Sequence, residues 1–226
     1  MHLSKPLLLT LGILAGADAL AGEDPFTGFR AGLGLSAGVG RHQIYTTPAY
    51  RMGVYMASAD TIWSAHGTRQ GFLTPTADLS YGFPLSERWI GTIGFRADLA
   101  TVDAGDIQLA KVGNREDKAS MKLKRHVALY FQPGYRLSDN WQLYGSLGYH
   151  QARAEYGSTV SGKHKHTLNG FGLGFGAERA FNKQLSLRME VQSVPFSNYS
   201  VAYSGVKAYD AEYGQARGNV LLTYRF

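Results

Sequence analysis

Residues 170–178 read GFGLGFGAE, with glycine in every second place and Phe171, Leu173, Phe175 and Ala177 between. Strict alternation of this kind is the period of a β-strand, whose successive side chains point to opposite faces. One face is apolar; the other is bare until Glu178. Glycine inside a strand costs backbone entropy and packs no side chain. Such a strand makes sense where its bare face meets bulk from elsewhere and its carboxylate meets a partner.

The same period recurs along the chain, in GFRAGLGLSAGVG, FLTPTADLSYGF, WIGTIGFRADLA, HVALYFQPGYRL, WQLYGSLGYHQ, QLSLRMEV and GNVLLTYRF, giving eight strands in all. Their connections alternate in length. Tight turns fall at PLSER, SDN and NK, and long loops at roughly 40–70, 102–122, 154–166 and 195–210. No run of 18 apolar residues follows the N-terminus, so a membrane-spanning helix is not expected. The pattern predicts an all-β fold, an eight-stranded antiparallel up-and-down transmembrane β-barrel. The opening MHLSKPLLLTLGILAGADALAG has a basic start, an apolar stretch and small-x-small cleavage sites. It reads as a signal peptide over residues 1–21, which leaves 22–226 as the barrel domain. The chain has no cysteine, which excludes disulfides, thiol chemistry and cysteine metal sites.

In such a barrel the apolar residues face out and the other parity lines a narrow lumen that side chains fill. That parity carries Arg30, Arg96, Arg136, Arg188, Arg217 and Arg225 against Asp78, Asp98, Glu178 and Glu190. Charges are costly in hydrocarbon, so they belong on the lumen side and in pairs. The glycines of the first and sixth strands make room for this bulk. A soluble barrel with an apolar interior would show the inverse pattern.

The segments PGYRLSDNWQLYGSLGY, GFGLGFGAERAFNKQLSLRMEV and the terminal YRF resemble the small eight-stranded outer-membrane barrels of Gram-negative bacteria. That group includes the transmembrane domain of outer membrane protein A, the opacity adhesins and the attachment-invasion barrels. The resemblance covers residues 26–226 and implies an outer-membrane location with the long loops extracellular. It also implies that Tyr224 and Phe226 serve as an assembly signal for the barrel-assembly machinery. With the last strand ending at Phe226, a following periplasmic domain is not expected. The fold hosts adhesins, structural proteins, narrow pores and lipid-modifying enzymes, so activity must be argued from sites.

Fourteen basic and eight acidic residues fall at the long-loop end, an excess equal to the whole formal charge of +6. Lys111, Arg115, Lys118, Lys122, Lys124, Arg125, Lys163 and Lys165 are the candidate anion-binding residues, with the sharpest cluster in KLKRH. A positive surface concentrates anionic partners through its summed field. The expected partners are outer-membrane lipid, lipopolysaccharide and host surface glycans or proteins, with no nucleic acid and no cofactor. The expected role is a structural or adhesin-like surface protein; the alternative is a narrow ion-conducting pore gated by lumenal salt bridges. Tyrosines at the loop end, Tyr213 among them, suit an interface belt or a contact surface. Trp89 and Trp141 suit the belt at the other end. His164 and His166 share a face with His150 within possible reach, but zinc normally takes three or four protein ligands and none is assured, so solvated rim histidines are expected. A lipid A-modifying enzyme is a third reading. The His-x-Ser spacing of the deacylases occurs only at His2-Leu3-Ser4, inside the signal peptide, which argues against a deacylase but not against loop residues that converge in space; the chain is not expected to be an enzyme.

Overall fold

Ten strands form one antiparallel sheet: β1 Gly28–Thr46, β2 Thr68–Pro84, β3 Trp89–Asp98, β4 Val102–Val112, β5 Arg115–Ser138, β6 Trp141–Ser158, β7 Gly162–Ala180, β8 Leu185–Pro195, β9 Tyr199–Tyr203 and β10 Val206–Arg225. The computed structural model describes residues 24–46, 67–112, 115–158, 162–203 and 206–226; at 44–46, 107–119, 158, 162 and 199–211 only the backbone is described. The expected signal segment lies outside the described residues. Eight strands, in the order β1-β2-β3-β5-β6-β7-β8-β10, close into a barrel through a β1–β10 ladder running from Arg30↔Arg225 to Thr46↔Tyr209. β4 continues β3 after a short break and pairs with β5, and β9 continues β8 and pairs with β10.

The three tight turns stand where the sequence placed them. In the last, the Asn182 Oδ1 accepts the amides of Gln184 and Leu185 at 2.8 and 2.7 Å, the local side-chain bonding that makes asparagine a turn residue. The opposite end differs from expectation. Residues 102–122, 154–166 and 195–210 are not long loops: β4–β5, β6–β7 and β9–β10 carry the ladders well past the apolar belt. Of the first loop, residues 47–66 lie outside the described residues.

Outward residues form the apolar belt, and they are bare: Leu33 is 66% exposed, Phe171 67% and Phe175 70%. Beyond the belt the two faces exchange character. Along β6 the inward residues run Gln142, Tyr144, Ser146 and His150, then Ala152, Ala154 and Tyr156; the outward ones run Leu143, Leu147 and Tyr149, then Gln151, Arg153 and Glu155. β5 reaches the same result by a β-bulge. Arg125 and His126 together oppose Ala152, between the pairs Lys124↔Arg153 and Val127↔Gln151. The extra residue shifts the parity, so Leu123 and Met121 point inward and are 2% and 1% exposed. Arg125 pays for this with φ at 52°, a left-handed conformation that costs a non-glycine residue about 1–3 kcal/mol.

The barrel is laced all round only within the belt. β7 leaves its β8 ladder beyond Leu173↔Ser193, apart from a lone bridge at Gly170↔Phe196. β2 leaves its β3 ladder beyond Thr76↔Asp98. The outer half is therefore two four-stranded sheets, β4-β5-β6-β7 and β9-β10-β1-β2. Their inner faces meet in an apolar core that includes Val102, Met121, Leu123, Tyr156, Leu168, Val194, Phe196 and Tyr213, with Phe72 packed against it. Tyr213 is thus a core residue whose ring packs at a tilt against Phe196, centroids 5.7 Å apart, not a belt or contact residue as expected.

The bare face of β7 has the predicted use. The Tyr144 ring lies against Gly176 and the His150 ring against Gly172, and on β3 Gly94 receives the Tyr130 ring. Gly174 and Gly176 also take the neighbouring β8 carbonyls of Val191 and Met189. An alanine at Gly176 would overlap both Tyr144 and the Met189 carbonyl, so Gly176→Ala should lose about 1–3 kcal/mol in urea unfolding of the detergent-solubilised barrel. Gly145→Ala, whose Cβ meets only Pro133 at 4.0 Å, should be neutral or slightly stabilising in the same assay. Arg125→Gly should raise the unfolding midpoint, and the β-branched Arg125→Val should lower it.

Candidate functional site

The lumen within the belt holds a connected set of charges. Arg30 from β1 reaches Glu178 on β7 at 3.1 Å, and its other nitrogen donates to the Thr92 hydroxyl at 2.8 Å. Arg188 on β8 joins Glu178 at 3.4 Å to Asp78 on β2 at 3.3 Å. Arg96 on β3 joins Asp78 to Glu190, both at 3.1 Å. Tyr130 donates to Asp78, Gln132 to Glu190, and Gln142 and Ser186 to Glu178. One step towards the long-loop end, Arg217 holds Asp98 at 2.7 Å. His126 lies 2.8 Å from that carboxylate and 3.0 Å from His150, whose ring stacks on it. Arg30, Arg96, Arg188 and Arg217 balance Asp78, Asp98, Glu178 and Glu190, so the lumen is neutral. Buried charges survive only when paired and hydrogen-bonded in this manner.

Two arginines expected in this set lie elsewhere. Arg136 and Arg225 have the inward parity but sit at the tight-turn mouth. There Arg136 pairs with Asp24, while Arg225 donates to the carbonyls of Lys183 and Asp24. Phe26, fully buried with Ile90 and Ala180, plugs that mouth. Asp24 precedes the first strand pattern, so alternation gave no means of placing it.

The outer face of β5–β7, just beyond the belt, gathers the basic residues. The ladders put Glu155 between Lys122 and Lys165, and Arg153 between Lys124 and Thr167. Lys163 lies one row further out, opposite Gly157, and Arg125 projects from the bulge. Six cations thus gather around Glu155, while Asp103 on β4 lies opposite Lys122 on its other side. Glu155 meets Lys124 at 2.7 Å and Lys165 at 3.9 Å; the hydrogen bond from the Lys124 ammonium holds its carboxyl below the usual range. Lys122, Arg125, Arg153 and Lys163 make no ion pair among the described residues. Five of the predicted anion-binding residues therefore come together: Lys122, Lys124, Arg125, Lys163 and Lys165. Arg153, not among those predicted, belongs with them; the alternation of QARAEYG was the signal that could have placed it. The backbones of Lys111, Arg115 and Lys118 lie in the β4–β5 extension opposite Glu116, Val112 and Gln108, and their side chains are outside the described residues.

His164 and His166 are not the solvated rim histidines expected: they are half-buried on the inward side of β7, opposite Tyr156 and Ala154, while His150 pairs with Gly170 well below them. Among the described residues no cluster of three or more His, Cys, Asp or Glu is placed to hold a metal. Tyr224 and Phe226 face outward at the tight-turn end, their rings 5.3 Å apart.

A family model described as the outer membrane protein beta-barrel domain matches residues 7–226. No curated protein matches the chain in sequence. Among solved structures, the outer membrane protein OprG from Pseudomonas aeruginosa is 14% identical, covering 88% of this chain and 95% of that one at a TM-score of 0.48. The outer membrane protease OmpT from Escherichia coli is 10% identical over 88% of this chain and 96% of that one, at 0.49. The attachment invasion locus protein Ail of Yersinia pestis, in complex with the heparin analogue sucrose octasulfate, is 11% identical over 84% and 98%, at 0.38. On the match across nearly its whole length, the chain belongs to the outer membrane protein beta-barrel domain family, an integral barrel of the bacterial outer membrane with its long connections extracellular.

Proposed function

We propose that this barrel is a surface protein whose β5–β7 outer face binds polyanionic glycans, the phosphorylated sugars of lipopolysaccharide or the acidic glycans of an apposed cell. The observation that carries the reading is the gathering of six cations around Glu155 on three adjacent strands, just outside the belt. Such a face attracts anions through its summed field and offers several donors at strand spacing. Insertion would rest on the barrel-assembly machinery reading the terminal strand through Tyr224 and Phe226.

Each exposed ion pair is worth about 0.2–1 kcal/mol, so removing three cations should weaken binding about tenfold. The variant Lys124→Ala/Arg153→Ala/Lys165→Ala, in detergent, should elute earlier from immobilised heparin and lose affinity for purified lipopolysaccharide to that extent. Wild-type binding should fall steeply between low and physiological salt, where screening shortens to about 8 Å. Salt-independent retention, or equal retention of the triple variant, would overturn the reading.

The pore alternative meets two obstructions in series: the neutral charge network, and the apolar layer from Val102 to Tyr213 beyond it. In planar bilayers the protein should show no stable current. Arg188→Ala removes the cation shared by Glu178 and Asp78, which keep Arg30 and Arg96, and leaves the buried network one charge negative; it should cost about 3–5 kcal/mol of stability, yet it should stay silent because the apolar layer persists. Stepwise conductance in the wild type would sink this expectation.

A further inference from the structure

A second feature of the outer boundary lies on the opposite wall. Arg41 on β1 and Arg69 on β2 are direct partners in the ladder, both outward and both exposed. Directly opposed residues hold their Cβ atoms about 4.5–5.5 Å apart, and like charges there destabilise the pair. Neither arginine makes an ion pair or hydrogen bond among the described residues. The nearby carboxylate, Glu212, lies one row out opposite Gln43 and accepts a bond from Asn198 at 3.1 Å.

Beside that wall, on β7, β8 and β10 and from one row deeper, the lipid-facing surface is notched. Leu173, Phe175, Val191, Ser193 and Ala216 line an open apolar groove of about 410 Å³. The registers relate the two features: Ser193 pairs with Ala216 and Ala216 with Val39, and in the next row Pro195 pairs with Gly214 and Gly214 with Arg41. Consecutive outward rows are about 7 Å apart and strands about 4.8 Å apart. The paired guanidinium groups therefore stand above the groove and to one side of it, within the reach of one amphiphile.

We propose that this wall is a site for an acylated phosphate lipid of the outer leaflet, with a phosphate bridging Arg41 and Arg69 and an acyl chain lying over Ser193 and Ala216. A planar guanidinium is suited to phosphate oxygens, which it can meet with two parallel bonds. A phosphate between the two arginines turns their repulsion into attraction. Groove and arginine pair act as one site because the acyl chain fixes the phosphate at the depth where the arginines stand. The groove shares β7 with the glycan face but lies deeper, at Leu173 and Phe175, where the glycan face uses Lys163 and Lys165.

Native mass spectrometry of the full chain released from detergent tests this with bisphosphorylated lipid A, its dephosphorylated form and inorganic phosphate as probes. The wild type should retain one lipid A, with affinity at least tenfold above that for the dephosphorylated lipid. Arg41→Gln/Arg69→Gln should lose that preference. Ala216→Phe, which fills the groove while facing lipid, should lower lipid A affinity about tenfold with both arginines intact. The β5–β7 triple variant should keep the site, so failure of one proposal leaves the other standing. Unchanged lipid A binding in either Arg41→Gln/Arg69→Gln or Ala216→Phe would overturn the proposal. So would inorganic phosphate that displaces lipid A at similar concentration. Retained heat-modifiable migration on unboiled gels shows that each variant is folded.

Discussion

A strand that passes from hydrocarbon into water has to exchange its two faces, and most of this structure follows from how that exchange is made. Inside the bilayer the outward residues are apolar because an outward charge costs several kcal/mol there. Beyond it, the apolar residues need cover from water and the charged ones need access to it. β6 makes the exchange by composition alone, from Tyr149 outward and His150 inward to Arg153 outward and Ala152 inward. β5 makes it with its backbone. Without the extra residue at Arg125, Lys122 and Lys124 would point into the apolar core while Met121 and Leu123 would face water. The bulge therefore aims the two lysines as well as bending the strand, and the basic face depends on it.

The same boundary divides the interior into two seals with different physics. The inner one is electrostatic. Glu178 joins β7 to β1 and β8, Asp78 joins β2 to β3 and β8, and Glu190 joins β8 to β3. Ties across the lumen hold opposite walls in one register, since a slip of one residue would turn every charge into hydrocarbon. A buried ion pair contributes little net stability against an apolar replacement, whereas a single missing partner is expensive. The network thus acts mainly on specificity. The outer seal is hydrophobic, made where water surrounds the sheets and burial of Leu123, Leu168 and Phe196 drives them together.

The membrane-embedded half was legible because a period of two with constant phase assigns every side chain to a side. Arg30, Asp78, Arg96, Glu178 and Arg188 were placed in the lumen from parity alone. Parity says nothing of depth, so Arg136 and Arg225 were given the right side and the wrong level. The outer half was misread as loops because its alternation runs in the opposite sense, with small and aromatic residues inside and charges out. QARAEYG is as regular as the strands below it, but it does not look like a strand that faces lipid. The bulge left no mark in the sequence, since its left-handed residue is an arginine where glycine or asparagine would have signalled it.

The cations cluster at the boundary for a reason that also explains why two kinds of anion site can form there. An outward residue one row past the belt has apolar surface below it and headgroup or water beside it, so a long side chain can lay its stem on the first and present its charge to the second. Arg41, Arg69, Lys124, Arg125 and Arg153 all occupy such rows. What differs is the neighbourhood. On β5–β7, Glu155 shares its charge between Lys124 and Lys165 and spaces the cations over three strands, which suits an extended polyanion met from outside. On β1–β2 two guanidinium groups face each other with no carboxylate between them among the described residues, above a surface cut back to Ser193 and Ala216. That arrangement suits a compact anion that arrives attached to a hydrocarbon chain.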